Sequence, residues 1–422
     1  MTEMYDRAIA LTEGLDAGRY IVATYLIQAP AGDDHLQRAV AAGMEQTVGK
    51  ASYMSTELAD YAEIYGGKLV GFFRVPDHLS KSSLTDDAQV ISVARVAYPV
   101  VNTGMQIPML LTMALGDLSL SGKIKLVDLD LPTAFLEAFQ GPKFGLAGIR
   151  EMLGVDRPLI CSILKPCVGL KAEDAADIFY QHALGGADVI KDDELMAYSP
   201  EFPIEERVQA CSKMARRVFE ETGHRVLYLT SITDRPDRMQ ANAQRAIEAG
   251  ASGLMLTPLT TGIGALQMLA EDPNIQVPLF AHPAMLGATS WSPDYGVSAH
   301  IYAAKLFRLA GADINACPVP YGRFPHLPES YIRILKQSKA PMGSIKASFT
   351  QVGGGLGAAS VPDVIRDVGN DVMLVLGSSV QRHPMGLASG VRAVRQAIDA
   401  ALAGIPLETA GAEHRELREA LG

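Results

Sequence analysis

Cysteine is scarce in this chain, with four residues in 422: Cys161, Cys167, Cys211 and Cys317. None forms a CxxC pair and none stands at a zinc-type spacing from histidine, so neither a disulfide framework nor a metal finger is expected. Cys161 and Cys317 fall inside apolar runs, where a small thiol packs as a buried hydrophobe. Basic charge is also short. Lys and Arg number 37 against 47 Asp and Glu, a formal net charge of -10, and no basic cluster offers the footprint of a nucleic-acid binder. No apolar run approaches the ~20 residues of a membrane span. The opening MTEMYDRAIALTEG lacks a basic start, an apolar stretch and a small-residue cleavage site. The expectation is a cytoplasmic enzyme without nucleic-acid or membrane partners.

A chain of 422 residues exceeds what one core ordinarily holds, so two domains are expected, 1–140 and 141–422. From Pro158 onward one pattern repeats: a short apolar run, a polar turn, an amphipathic helical stretch. The strand-like runs are Leu159 to Leu164, Ala187 to Lys191, Arg225 to Ser231, Gly253 to Thr257, Val277 to Ala281, Asp313 to Cys317, Gly343 to Ala347 and Asp371 to Leu376. Eight such runs separated by helices fit a closed parallel (β/α)8 barrel. The first part reads differently. YIVATYLIQ, LVGFFRV and ISVARVAYPVV look like strands, the last alternating as a half-buried antiparallel strand does, and AGDDHLQRAVAAGMEQ looks helical. A smaller α+β domain before an α/β barrel is therefore the expected architecture, with the junction in LDLPTAFLEAFQGPKFGLAGIREMLGVDRP.

Barrel enzymes carry their active groups at the C-terminal ends of the strands. The first strand runs out into ILKPCVGLK, placing Lys165 at the barrel mouth, where desolvation can lower a lysine pKa towards general-base use. The second ends in GGADVIKDDE. Alternation sends Lys191 and Asp193 to the same side, and Glu194 can join them as strand gives way to loop. A generic DDE is a solvated acidic loop; beside a lysine at a barrel mouth, its carboxylates are hard oxygen ligands suited to Mg²⁺. The seventh and eighth strands are followed by QVGGGLGAASVPDVI and LGSSVQRHPMG, where Gly354, Gly355, Gly377, Ser378 and Ser379 are candidate phosphate donors.

In order and spacing, ILKPCVGL, GGADVIKDDE, FAHPAM, GGGLGAASVPDVI and LGSSVQRHPMG resemble the large subunit of ribulose-bisphosphate carboxylase over nearly the whole chain. The resemblance implies that family's N-terminal α+β (ferredoxin-like) domain and its barrel. It also implies that Lys191 takes up CO2 as a carbamate and binds Mg²⁺ with Asp193 and Glu194, that Lys165 moves a proton, and that His282 lies near the reacting carbons. Active sites in the family are shared between subunits, so Glu45 and Asp117 are expected to act across the interface of a homodimer or an assembly of dimers. Asp117 stands where the family has an asparagine.

Departures from the family pattern argue against carbon fixation. KPKLGL of the carboxylases reads KPCVGL, so Cys167 replaces a lysine; Pro283 stands where an arginine binds a second phosphate; Ala316 replaces a histidine, Arg323 the loop-six lysine, and Gly353 a serine. One phosphate site is kept and the other dismantled. That pattern resembles the RuBisCO-like proteins (type IV), which enolise, isomerise or decarboxylate monophosphorylated substrates. The resemblance implies Mg²⁺-dependent lyase or isomerase chemistry through an enediolate, in first place decarboxylation of 3-oxo-isoapionate 4-phosphate. The alternatives are an enolase or isomerase of a methylthio-pentulose phosphate and a catalytically silent metabolite-binding or regulatory protein.

Overall fold

A computed structural model describes residues 8–49, 59–75, 88–196, 200–324 and 326–422. The chain divides into two compact units, one of residues 1–139, 285–302 and 342–344, the other of 140–284, 303–341 and 345–422.

The first unit is built on a five-stranded sheet. Its strands are β1 (Tyr20–Pro30), β2 (Lys68–Val75), β3 (Gln89–Pro99), β4 (Lys123–Asp130) and a short β10 (Gly296–Val297), in the order β10-β4-β1-β3-β2. The first four pair antiparallel, while β10 joins β4 in parallel. β1 alternates strictly, with Ile21, Ala23, Tyr25, Ile27 and Ala29 on the buried face, as a sheet with one covered face requires. Helices α1 (His35–Glu45) and α2 (Ile107–Leu115) contribute the apolar stripes Ala39, Val40, Ala42, Met44 and Ile107, Leu110, Met113, Ala114. Asp34 caps α1 by accepting from the Gln37 amide at 2.9 Å. β4 was not among the strands expected from sequence; its KIKLVDLD alternates charge with aliphatics and pairs with β1 throughout.

The second unit is the closed eight-stranded parallel barrel, preceded in sequence by the smaller α+β unit, as expected. Its strands are β5 (Leu159–Ile163), β6 (Val189–Lys191), β7 (Leu227–Ser231), β8 (Gly253–Leu256), β9 (Leu279–Ala281), β11 (Ile314–Pro318), β12 (Phe349–Gly353) and β13 (Met373–Leu376). Leu159, Cys161, Val189, Leu229, Met255, Phe280, Ile314, Phe349 and Met373 fill the interior as one apolar cluster, so the barrel is a packed core and not a pore. The helix Ile204–Thr222 stops at Gly223 in the left-handed conformation, φ 73°, the role read for such glycines from sequence.

One strand lies elsewhere than expected. The seventh is Phe349–Gly353, not Gly343 to Ala347. The carbonyls of the earlier segment are spent away from the sheet: the buried Arg308 guanidinium donates to Ile345 O at 2.7 Å and Lys346 O at 2.7 Å, and Leu146 N donates to Ala347 O at 2.8 Å. With those acceptors occupied, the ladder starts only at Phe349. Gln351 and Val352, expected in the following loop, are consequently barrel residues. Among the described residues no helix is long and apolar enough to cross a membrane.

Candidate active site

The KDDE segment splits its four side chains between two jobs. Asp192 is fully buried and accepts from Arg207 Nη2 at 2.9 Å, Tyr228 Oη at 2.7 Å, Thr230 Oγ1 at 2.7 Å and the Ser231 amide at 2.9 Å. Four donors satisfy the carboxylate completely, so Asp192 anchors β6 against β7 and offers nothing to a ligand. With that anchor set, Lys191 points into the barrel while Asp193 and Glu194 leave the strand at its mouth.

Lys191 is buried, and its Nζ donates to Asp192 O at 3.0 Å, lies 3.6 Å from Met255 Sδ and 5.8 Å from the centre of the Phe280 ring. Its carboxylate neighbour is Glu194, whose Oε2 is 3.8 Å away and also 3.4 Å from His282 Nε2. Lys165, at the end of β5, hydrogen-bonds Asp193 Oδ2 and approaches Cys167 Sγ at 2.9 Å. Lys165, Lys191, Asp193, Glu194 and His282 therefore meet at one mouth of the barrel.

Electrostatics at this mouth correct one expectation. Burial pushes the Lys165 pKa down, as read from sequence, but the hydrogen bonds with Asp193 and Cys167 outweigh it and hold the ammonium above its ordinary value. In this state Lys165 is an ion-pair partner and not a poised base. His282 goes the other way: burial first, then the positive charge of Lys191, hold its pKa well below the usual histidine range. It is neutral at pH 7, and its Nδ1 is buried without a hydrogen-bond partner among the described residues.

Among the described residues no group of three His, Cys, Asp or Glu side chains could by itself hold a metal ion. Glu194 stands beside Lys191 and Asp193 beside Lys165, and a carbamate on Lys191 would add a third anionic oxygen. Such a set of hard oxygen donors would suit Mg²⁺.

The glycine-rich loops also come together. Arg323 N donates to Gly354 O at 2.6 Å, and a Cβ on Gly355, which has φ 111°, would stand 3.0 Å from Arg323 N. Only glycine combines that backbone with that approach. A Cβ on Gly357 would stand 3.6 Å from Ser379 Cβ, at the turn Gly377–Ser379 that opens the short helix Ser378–Gln381. The Arg323 guanidinium lies 4.7 Å from the Phe324 ring centre. In the first unit Glu45 and Asp117, far apart in sequence, line one cleft of about 400 Å³ with Gln28, Arg38, Gln46 and Lys123.

Met255 and Phe280, which face Lys191, were missed in the sequence; their inward positions on β8 and β9 were the available signal. Gln46 was also missed, since the groups its amide bonds, Met113 O and Leu118 N, lie far along the chain.

The sequence model of the ribulose bisphosphate carboxylase large chain, catalytic domain, matches residues 145–422. The chain belongs to the ribulose-bisphosphate carboxylase large-chain family. It is a RuBisCO-like protein, as its motifs indicated. A ribulose bisphosphate carboxylase-like protein of Archaeoglobus fulgidus is 39% identical over 415 residues, covering 98% of this chain and 94% of its own. A 2,3-diketo-5-methylthiopentyl-1-phosphate enolase of Bacillus cereus is 35% identical over 390 residues, 92% of this chain and 94% of that enzyme. Among solved structures, the rubisco-like protein (MtnW) of Alicyclobacillus acidocaldarius superposes with a TM-score of 0.88 at 33% identity, covering 96% of this chain and 98% of that one. The octameric RuBisCO of Pyrococcus horikoshii gives a TM-score of 0.89 at 28% identity, with 99% and 98% covered.

Proposed function

We propose that this RuBisCO-like protein enolises a monophosphorylated keto compound through an enediolate, with 2,3-diketo-5-methylthiopentyl 1-phosphate as the first substrate to test. The observation that carries the reading is the convergence of Lys191, Asp193 and Glu194 with Lys165 and His282 at one barrel mouth, while Asp192 is tied off below it. The similarity to methylthiopentyl-phosphate enolases supports the choice of substrate.

Asp193, Glu194 and carbamylated Lys191 would hold Mg²⁺, which supplies Lewis-acid polarisation of a substrate carbonyl when bound. Lys165 takes or returns the proton at the adjacent carbon, which requires that it first part from Asp193. Neutral His282 accepts or donates a hydrogen bond at the substrate oxygens without adding charge. Backbone amides of Gly354, Gly355 and Gly377, the hydroxyls of Ser378 and Ser379, and the Arg323 guanidinium receive the single phosphate. In a homodimer, Glu45 and Asp117 of each subunit would serve the barrel of the other; dimeric and octameric assemblies are described for structural relatives.

The test is proton exchange followed by NMR in D2O with Mg²⁺ and bicarbonate, on a panel that includes the diketo phosphate and 3-oxo-isoapionate 4-phosphate. Exchange that disappears in Lys165→Ala and Lys191→Ala supports the enolase. Release of CO2 from the second compound would establish the decarboxylase expected from sequence, since loss of CO2 from a β-keto acid reaches the same enediolate. Turnover undiminished in Lys191→Ala overturns the mechanism, and ligand binding with silence on every compound points to a binding protein.

A further inference from the structure

Glu45 ends α1 and Asp117 begins the turn after α2, and both open onto the same cleft of the first unit. Both side chains are exposed, on helix ends that three buried contacts hold from the sheet. Tyr25 on β1 donates to Ala114 O at 2.7 Å, Tyr98 on β3 donates to Ala42 O at 3.2 Å, and the two hydroxyls lie 3.1 Å apart. Ala42 is three residues before Glu45, and Ala114 three before Asp117. Burial raises the pKa of both phenols, so each keeps its proton as a donor. One hydroxyl pair in the sheet thereby fixes the last turn of both helices.

The tie above this pair is Gln46. In the orientation that satisfies both ends of its amide, Nε2 donates to Met113 O at 3.3 Å and Oε1 accepts from Leu118 N at 3.1 Å. These are the backbone groups on either side of the Asp117 turn, and the side chain that holds them is the immediate neighbour of Glu45. Gly116 lies against the Gln46 amide so closely that a Cβ there would be 3.0 Å from it and 2.4 Å from Thr112 O. A second clamp holds the α1 end: Gly67 N donates to Thr47 Oγ1 at 2.9 Å, and Thr47 Oγ1 donates to Gly43 O at 2.9 Å.

We propose that Gln46 is a positioning residue which, with the Tyr25–Tyr98 pair beneath it, holds the Glu45 and Asp117 carboxylates at a fixed separation for the substrate. This rests on the reading that Glu45 and Asp117 serve the shared site. Neither Gln46 nor the tyrosines touch substrate; they act through the two helix ends. Misplacement of such groups by about 1 Å can cost about a hundredfold in turnover.

The test compares Gln46→Leu, which removes both hydrogen bonds, with Gln46→Glu, which keeps the acceptor for Leu118 N, in the full-length protein. Hydrogen exchange at the Leu118 amide is read alongside kcat and KM for the D2O exchange. Gln46→Leu should speed Leu118 exchange about tenfold or more and lower kcat with KM nearly unchanged; Gln46→Glu should restore the protection. In a Glu45→Ala background the leucine substitution should add no further loss. Unchanged Leu118 protection, or losses that multiply with Glu45→Ala, would overturn the positioning role. Full turnover in Glu45→Ala would instead sink the shared-site reading, with the Leu118 result still deciding the tie.

Discussion

Arg207 meets Asp192 at 2.9 Å with both side chains closed to solvent. Asp193, the next residue, takes no part in that pair and faces Lys165 instead. Two adjacent aspartates of identical chemistry should therefore fail differently. Asp192→Asn leaves a buried guanidinium uncompensated and should cost about 3–5 kcal/mol in denaturant unfolding. Asp193→Asn removes the partner of a Lys165 ammonium that solvent still reaches, so it should cost clearly less in unfolding while abolishing Mg²⁺-dependent exchange. Equal stability losses in the two variants would contradict the division of labour.

His182 lies inside the helix Ala172–Leu184, fully buried, with no hydrogen-bond partner on either ring nitrogen among the described residues. Burial lowers its pKa from 6.5 to about 4. Between those values the unfolded chain binds a proton that the folded chain refuses, so stability falls as pH drops through this window. The loss approaches about 3 kcal/mol by pH 4. His182→Leu should flatten that limb of the stability curve and raise the midpoint at neutral pH; a pH profile unchanged by the substitution would refute the assignment.

Asp188 binds Arg157 Nη2 at 2.9 Å and Arg395 Nη2 at 2.6 Å, with His224 at the 4.0 Å limit. Burial pushes its carboxyl up, yet the two guanidinium groups and the Ile160 amide hold it below the usual value of 3.8. Its stabilisation is thus present above that pH and lost on acidification through the folded pKa. Asp188→Asn should destabilise the barrel at pH 7 and remove this acid-dependent component, as urea titrations at pH 3 and pH 7 would reveal.

By the resemblance, Gly353 falls where the carboxylases carry serine; a Cβ there would lie 2.9 Å from both Cβ and Cγ1 of Val375 on the neighbouring strand. Gly353→Ser should cost about 1–3 kcal/mol, and adding Val375→Ala, which removes Cγ1 but keeps Cβ, should recover only part of it. If the single substitution unfolds nothing in thermal melts, the space is larger than the packing indicates.

Seven of the eight barrel strands were legible because buried parallel strands read as apolar runs such as LICSI and GLML. FTQVG was not, since its interior carries Thr350 and the inward Gln351, whose Nε2 finds the Cys161 thiol at 3.2 Å. Ile345 is apolar and buried, as a strand residue would be, yet its carbonyl belongs to Arg308, a partner 37 residues away. The same distance problem limits the site. Alternation on β6 puts Asp192 on the face opposite Lys191, where it is tied to β7, but the charge state of Lys165 depends on a hydrogen bond across 28 residues. No local pattern reports that, and none marks Gln46 as a bridge to Leu118.

β10 sits in the chain between two barrel strands yet completes the sheet of the other unit, with Ser298 N donating to Leu126 O at 2.8 Å and Lys125 Nζ reaching Ser290 O at 3.0 Å. During synthesis, the outer side of β4 at Lys125 and Leu126 stays bare until residue 297 has left the ribosome. Nascent chains that end between residues 130 and 297 carry an open strand edge, and it is there that a holding chaperone would find its grip.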